Sequence, residues 1–132
     1  MRTITQSYTI HAPRHLVWRA LVEPELIDAW GGGPVIMNDH EGSAFSFWGG
    51  SVHGTNTQVV DDELLEQDWY SGDDWPQASH VSIELEDEDT DTIVHLTHRD
   101  VPANEVDDVD DGWHEYFFAP LQKLVEAQTR HH

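Results

Sequence analysis

The last stretch of the chain, Asp110 to Ala127 (DDGWHEYFFAPLQKLVEA), restricts the fold more than any other. Trp113, Phe117, Leu121 and Leu124 recur at helical spacing and share one face, which Tyr116, Pro120 and Val125 widen. His114, Glu115, Gln122, Lys123 and Glu126 fall opposite. The result is an amphipathic helix with an aromatic buried face. The strands before it need such a lid, because a sheet must bury its apolar side against something. Pro120 removes a ladder bond and crowds the preceding turn, which predicts a kink there or a break into two helices.

Upstream, Thr3 to Ile10 alternates and is rich in β-branched residues, so it reads as a strand ended by His11-Ala-Pro13. A helix follows, with Leu16, Val17, Ala20 and Leu21 as its apolar stripe and Trp18 beside them. Glu23-Pro24 breaks it and opens a second short helix, Pro24 to Trp30, which buries Leu26, Ile27 and Trp30. Gly31-Gly32-Gly33 is a turn rather than a phosphate loop, since no Lys-Ser/Thr follows it.

From Pro34 the pattern is all strand: Val35 to Met37, Ala44 to Trp48, Ser51 to Val60, Glu63 to Tyr70, a run with Val81, Ile83 and Leu85 on one face, and Ile93 to His98. Gly49-Gly50 signals a hairpin, Gly54 a bulge or bend, and Asp87 to Asp91 an acidic tip. Ser71 to Gln77 is a loop, and Arg99 to Asp108 a connector into the terminal helix. The expected fold is α+β and a single domain over residues 1–130. A strongly curved antiparallel sheet of about six to seven strands wraps around one long C-terminal helix, with two short helices after the first strand. His131 and His132 are a tail or tag remnant.

Charge bounds the partners. The 132 residues hold 26 Asp and Glu against 6 Lys and Arg, for a net charge of -20, and Lys123 is the lone lysine. Such a surface repels nucleic acid and anionic membranes, so neither is expected as a partner. It suits a cytoplasm of very high salt, where self-repulsion is screened, and a halophilic source is the expectation. Six Trp, four Phe and three Tyr, interleaved with polar residues in strand-like runs, argue against a disordered acidic chain. Without cysteine there is no disulfide, thiol catalysis or zinc–thiolate site. No signal-peptide core or membrane-length apolar run is apparent, so the expected location is cytoplasmic.

Three motifs carry a resemblance. The first is Ile10-His-Ala12-Pro13-Arg-His-Leu-Val17-Trp18-Arg-Ala20-Leu21, continued by Pro24-Glu25-Leu26 and Trp30. The second is Gly49-Gly50-Ser-Val52-His-Gly54 with Trp69 downstream, and the third Leu96-Thr97-His98 followed by Gly112-Trp113. In this order they resemble the activator of Hsp90 ATPase homolog 1-like family, within the START/Bet v1 (SRPBCC) helix-grip superfamily. The resemblance implies a helix-grip fold with a hydrophobic cavity between sheet and long helix. That superfamily includes lipid carriers, hormone receptors and some cyclases, so fold alone does not settle function. This sequence departs at Val109, where many relatives carry His. It also shows no counterpart of the extra N-terminal Hsp90-binding domain of the eukaryotic co-chaperone.

The candidate ligand-binding residues are Trp18, Trp30, Phe45, Phe47, Leu65, Trp69, Leu96, His98, Trp113, Phe117 and Leu121. Each taken singly reads as well as core; together they are many for a small domain and suit an apolar-ligand cavity. His98 shares a strand face with Val94 and Leu96. It is either a hydrogen-bonded structural histidine or an acid/base group, and the structural role is favoured for want of an assured carboxylate partner. Trp48, Tyr70 and Trp75 would form an interaction patch if exposed together. No metal site is expected: His95 and His98 lie on opposite strand faces, Pro13 separates His11 from His15, and Glu84 to Asp91 lacks a calcium-loop pattern. No cofactor is expected.

Three functions fit. The first is non-catalytic binding of a small hydrophobic or aromatic molecule, as monomer or homodimer. The second is a chaperone-interacting module like the Hsp90 activator. The third is a cyclase- or hydrolase-like enzyme using His98.

Overall fold

The computed structural model describes residues 2–71, 75 and 77–130. Strand β1 (Arg2–Ile10) leads through Pro13 into helix α1 (Arg14–Val22), which buries Val17, Trp18, Ala20, Leu21 and Val22. Helix α2 (Pro24–Trp30) starts on its proline, whose missing N–H is no loss in a first turn. It stops at Gly31, whose φ of 103° is left-handed. The amides of Gly31 and Gly32 both cap the Ile27 carbonyl.

Five further strands follow: β2 (Ala44–Phe47), β3 (Val52–Val60), β4 (Leu64–Ser71), β5 (Ser79–Glu88) and β6 (Asp91–Val101). With β1 they form one six-stranded sheet in the order β1-β6-β5-β4-β3-β2. All neighbours are antiparallel, so β1 closes beside the last strand. Alternation governs burial as the period-two pattern requires. Leu65, Gln67 and Trp69 face inward from β4, Val81, Ile83 and Leu85 from β5, and Val94, Leu96 and His98 from β6.

Several local expectations change. Val35 to Met37 is no strand; only an isolated bridge, Ile36 to Ser46, forms there, and Ile36 is exposed. Gly54 sits in regular register between Phe45 and Trp69, and the β3 bulge lies between Asn56 and Gln58 instead. Gly54 is required for another reason: a Cβ there would stand 1.9 Å from the Asp68 carbonyl oxygen. The bulge region is held by a buried pair, with Gln67 Nε2 donating to Asn56 Oδ1 at 2.9 Å. The connector before the terminal helix is shorter than expected, because β6 runs on to Val101 and helix starts at Val106. The expected loop over Ser71 to Gln77 falls largely outside the described residues, as do His131 and His132; Ser71 itself ends β4.

The terminal helix does not break at Pro120. Helix α3 (Val106–Gly112) passes into a π-helical segment (Trp113–Phe118) and then into helix α4 (Ala119–Arg130). Backbone angles stay right-handed helical at Gly112, Trp113 and Ala119. The Ala119 amide reaches back five residues to the His114 carbonyl. Pro120 has no N–H to offer the Tyr116 carbonyl, and the wider turn gives its ring room that an α turn denies. The extra residue also rotates the buried face. Phe118 and Val125 join Trp113, Phe117 and Leu121 in the core, Leu124 is only partly buried, and Tyr116, expected in the buried stripe, is 63% exposed.

Candidate functional site

Most of the space between sheet and helix is filled. The Phe117 ring lies 4.8 Å from Trp30 and 5.6 Å from Phe47, with Phe45 a further 5.6 Å beyond Phe47. Trp30 gives its indole N–H to the Ala20 carbonyl at 2.8 Å, tying α2 to α1. Trp18, Leu65, Leu96 and Leu121 are likewise buried core. Each of these side chains contributes about 1.5–3 kcal/mol through burial alone.

An open cleft of about 400 Å³ remains beside the first half of the terminal helix. That size is within the ~300–1,000 Å³ usual for small-molecule pockets. Trp69, Trp113 and Phe117 line it, so three of the eleven candidates meet there; Trp18, Trp30, Phe45, Phe47, Leu65, Leu96, His98 and Leu121 do not. The wall is completed by Trp48, Val52, Val109 and Tyr116. Ser51, Ser71, Glu105 and Asp108 supply its polar edge. Trp113, Tyr116 and Phe117 reach the cleft from one face of the π-helical segment, at spacings of three and four that neighbour one another on a helix.

Trp48 is held in place by its neighbours. Its φ is 50°, left-handed and costly for a bulky side chain, at roughly 1–3 kcal/mol. Three bonds hold it there: its amide to the Gly32 carbonyl, the Gly49 amide to the Pro34 carbonyl, and its indole N–H to the Gly31 carbonyl at 2.9 Å. The triple glycine is thus a dock for one wall of the cleft. The patch expected from Trp48, Tyr70 and Trp75 does not form as an exposed surface, since Trp75 is buried against Trp69 with ring centroids 5.8 Å apart.

His98 lies directly behind the cleft and is fully buried. The Trp113 indole can only donate, and its N–H reaches His98 Nδ1 at 3.0 Å. Nδ1 is therefore an acceptor, and the ring proton sits on Nε2, 2.8 Å from Ser79 Oγ. Ser79 in turn donates to the Trp69 carbonyl at 2.7 Å. Burial, then the nearby His80, pushes the His98 pKa down to about 3. The ring is neutral and both nitrogens are spent, so none is left for a substrate. The relay instead ties the Trp113 ring to the Trp69 backbone, and the two rings stack at 5.5 Å. Asp68, beside Trp69, pairs with His80 at 2.9 Å on the outer face of the sheet.

Trp69 carries the one polar group that the relay leaves out. Among the described residues, its Nε1 is the buried side-chain nitrogen or oxygen with no hydrogen-bond partner. Trp69 was among the sequence candidates, but its unpartnered N–H depends on acceptors brought from other elements. Tyr116, Val52, Val109 and the acidic pair Glu105 and Asp108 were missed as lining residues.

A curved antiparallel sheet closed by a long terminal helix, with a pocket beside that helix, is the architecture of a helix-grip protein. Residues 11–126 match the sequence model of the family described as activator of Hsp90 ATPase homolog 1-like protein, and the chain belongs to that family. It is 25% identical over 129 residues to the human activator of 90 kDa heat shock protein ATPase homolog 1, covering 96% of this chain and 38% of that protein. The chain spans 36% to 38% of the length of the curated relatives it matches. Among solved structures, an HSP90 activator from Plasmodium falciparum superposes with a TM-score of 0.87 at 18% identity, covering 94% of this chain and 96% of that one. The Aha1 dimer from Colwellia psychrerythraea gives 0.80 at 20% identity, covering 96% and 97%. No helix among the described residues is long and apolar enough to cross a membrane.

Proposed function

We propose that this protein is a non-catalytic binder of a small, largely apolar aromatic molecule, held in the cleft between the β4 end, the Trp48 turn and the first half of the terminal helix. The observation that carries this reading is the cleft itself: ordinary pocket size, with Trp48, Trp69, Trp113, Tyr116 and Phe117 around it. The commitment of both His98 nitrogens supports a binding role over an acid/base one. The test is intrinsic tryptophan fluorescence in high salt, titrated with fatty acids, isoprenoids and flat aromatics. A saturable quench or blue shift that Tyr116→Ala weakens is expected. Tyr116 is exposed, so that variant should fold normally. A flat response across the panel would refute the reading.

A second reading, a chaperone-interacting module that could act as monomer or homodimer, is supported by the Hsp90 activators among the relatives. It predicts that the protein changes the rate of ATP hydrolysis by an Hsp90-type chaperone, and an unchanged rate would count against it. The acidic, lysine-poor composition supports a setting in concentrated salt for either role.

A further inference from the structure

The Trp69 N–H is buried, unpartnered and unable to turn elsewhere. Its ring is held between Trp113, stacked at 5.5 Å, Trp75 at 5.8 Å and the His98 ring, edge-on at 4.7 Å. The Trp69 carbonyl is tied to Ser79 from the next strand, which fixes the backbone as well. Trp30, Trp48 and Trp113 each place their indole N–H on an acceptor. Trp69 does not, though an orphaned buried donor is costly and uncommon. The same side chain lines the cleft, and its N–H is closed to solvent, so a ligand takes the proton only as the ring edge opens toward the cleft.

Charge at the cleft adds a second constraint. Glu105 and Asp108 stand at its edge, and among the described residues no Lys or Arg lines it. An anionic ligand would meet like charge there, while a neutral or cationic one would not.

Resting on the pocket reading above, we propose that the cleft selects an uncharged or cationic aromatic molecule bearing a hydrogen-bond acceptor, a carbonyl or ring nitrogen, that takes the Trp69 Nε1 proton. Fatty acids and other apolar carboxylates are excluded. Ring stacking in the cleft holds the body of the ligand, and the single donor sets its orientation.

The experiment compares three probes on one skeleton by calorimetry: 2-acetylnaphthalene with an acceptor, 2-isopropylnaphthalene without one, and 2-naphthoate with a charge. Each is titrated into the wild type and into Trp69→Phe, which keeps an aromatic ring and removes the N–H. The ketone-to-hydrocarbon affinity ratio is expected to be about tenfold higher in the wild type than in the variant. Naphthoate is expected to bind more weakly than the ketone and to recover as KCl is raised. In wild-type NMR spectra the Trp69 indole proton should move downfield with the ketone and not with the hydrocarbon, a readout that survives if the variant fails to fold. Equal ratios in the two proteins, or an indole resonance indifferent to the ketone, would overturn the proposal and leave the pocket reading standing. Naphthoate binding as tightly as the ketone at the lowest salt that keeps the fold would overturn its charge selection. Failure of all three probes on folded protein would overturn the pocket reading and the proposal together.

Discussion

Acid should unfold this protein partly through one buried ring. In the native state His98 stays neutral until about pH 3, because burial, then His80, disfavours its charged form. In the unfolded chain an ordinary histidine takes up its proton near pH 6.5. Between those values the unfolded state binds a proton that the folded state refuses. The stability tied to neutral His98 is therefore fully present above about 6.5 and is lost as pH falls toward about 3. Each pH unit in that window is worth about 1.4 kcal/mol, so a drop from about pH 6.5 to about pH 4 removes on the order of 3 kcal/mol. Protonation of Nδ1 would set two N–H groups against each other at the Trp113 indole, which is the local form of the same penalty. The assay is urea denaturation in molar KCl at both pH values, for wild type and His98→Gln. Glutamine does not titrate, and the remaining carboxylates are common to both proteins. The wild type should lose about 3 kcal/mol more than the variant across the window. Equal losses would refute the argument that a neutral His98 is a condition of folding.

Three further outcomes are expected. Trp113→Ala removes a buried ring that stacks on Trp69 and bonds His98, and should cost roughly 3–5 kcal/mol in the same denaturation assay; a loss under about 1 kcal/mol would mean the site collapses freely. Gly54→Ala drives a methyl into the Asp68 carbonyl and should cost about 1–3 kcal/mol, read as a fall in the urea midpoint. With a net charge of -20, the thermal midpoint should climb from dilute buffer to molar KCl, and an unchanged midpoint would remove the high-salt reading.

The sheet was legible in the sequence because its signal is local. Val81, Ile83 and Leu85 alternate with Ser82, Glu84 and Glu86, and burial followed that parity residue by residue. Pro24 and Gly31 marked both ends of α2 for equally local reasons. The terminal helix was legible as an element but not in phase. An α period puts Tyr116 inside and passes over Phe118, and only Pro120 hinted that the ladder would change step. The cleft was least legible. Trp69, Val52, Trp48 and Val109 come from separate elements, and Trp75 packs on the Trp69 ring at the end of β4. Eight of the eleven candidates pack where the helix meets the sheet, because hydrophobic periodicity reports burial and cannot tell a filled core from a lined hollow.

The π-helical segment also gives the chain a place where its length is adjustable. A five-back bond pattern holds one more residue in the turn than the four-back pattern does. Deleting an exposed residue there, His114 or Glu115, would let the turn relax to ordinary α geometry once Pro120, whose ring needs the wider turn, is also replaced. Leu121 and Val125 would still point into the core, and the cleft face would be re-cut. The same deletion inside α4 would swing every later side chain off its seat by more than a quarter turn. With Pro120 replaced, the cleft-facing half of this helix can therefore gain or lose a residue over evolutionary time while its structural half stays locked. In a fold whose members differ so widely in sequence, that is a physical route by which one scaffold can acquire new pockets.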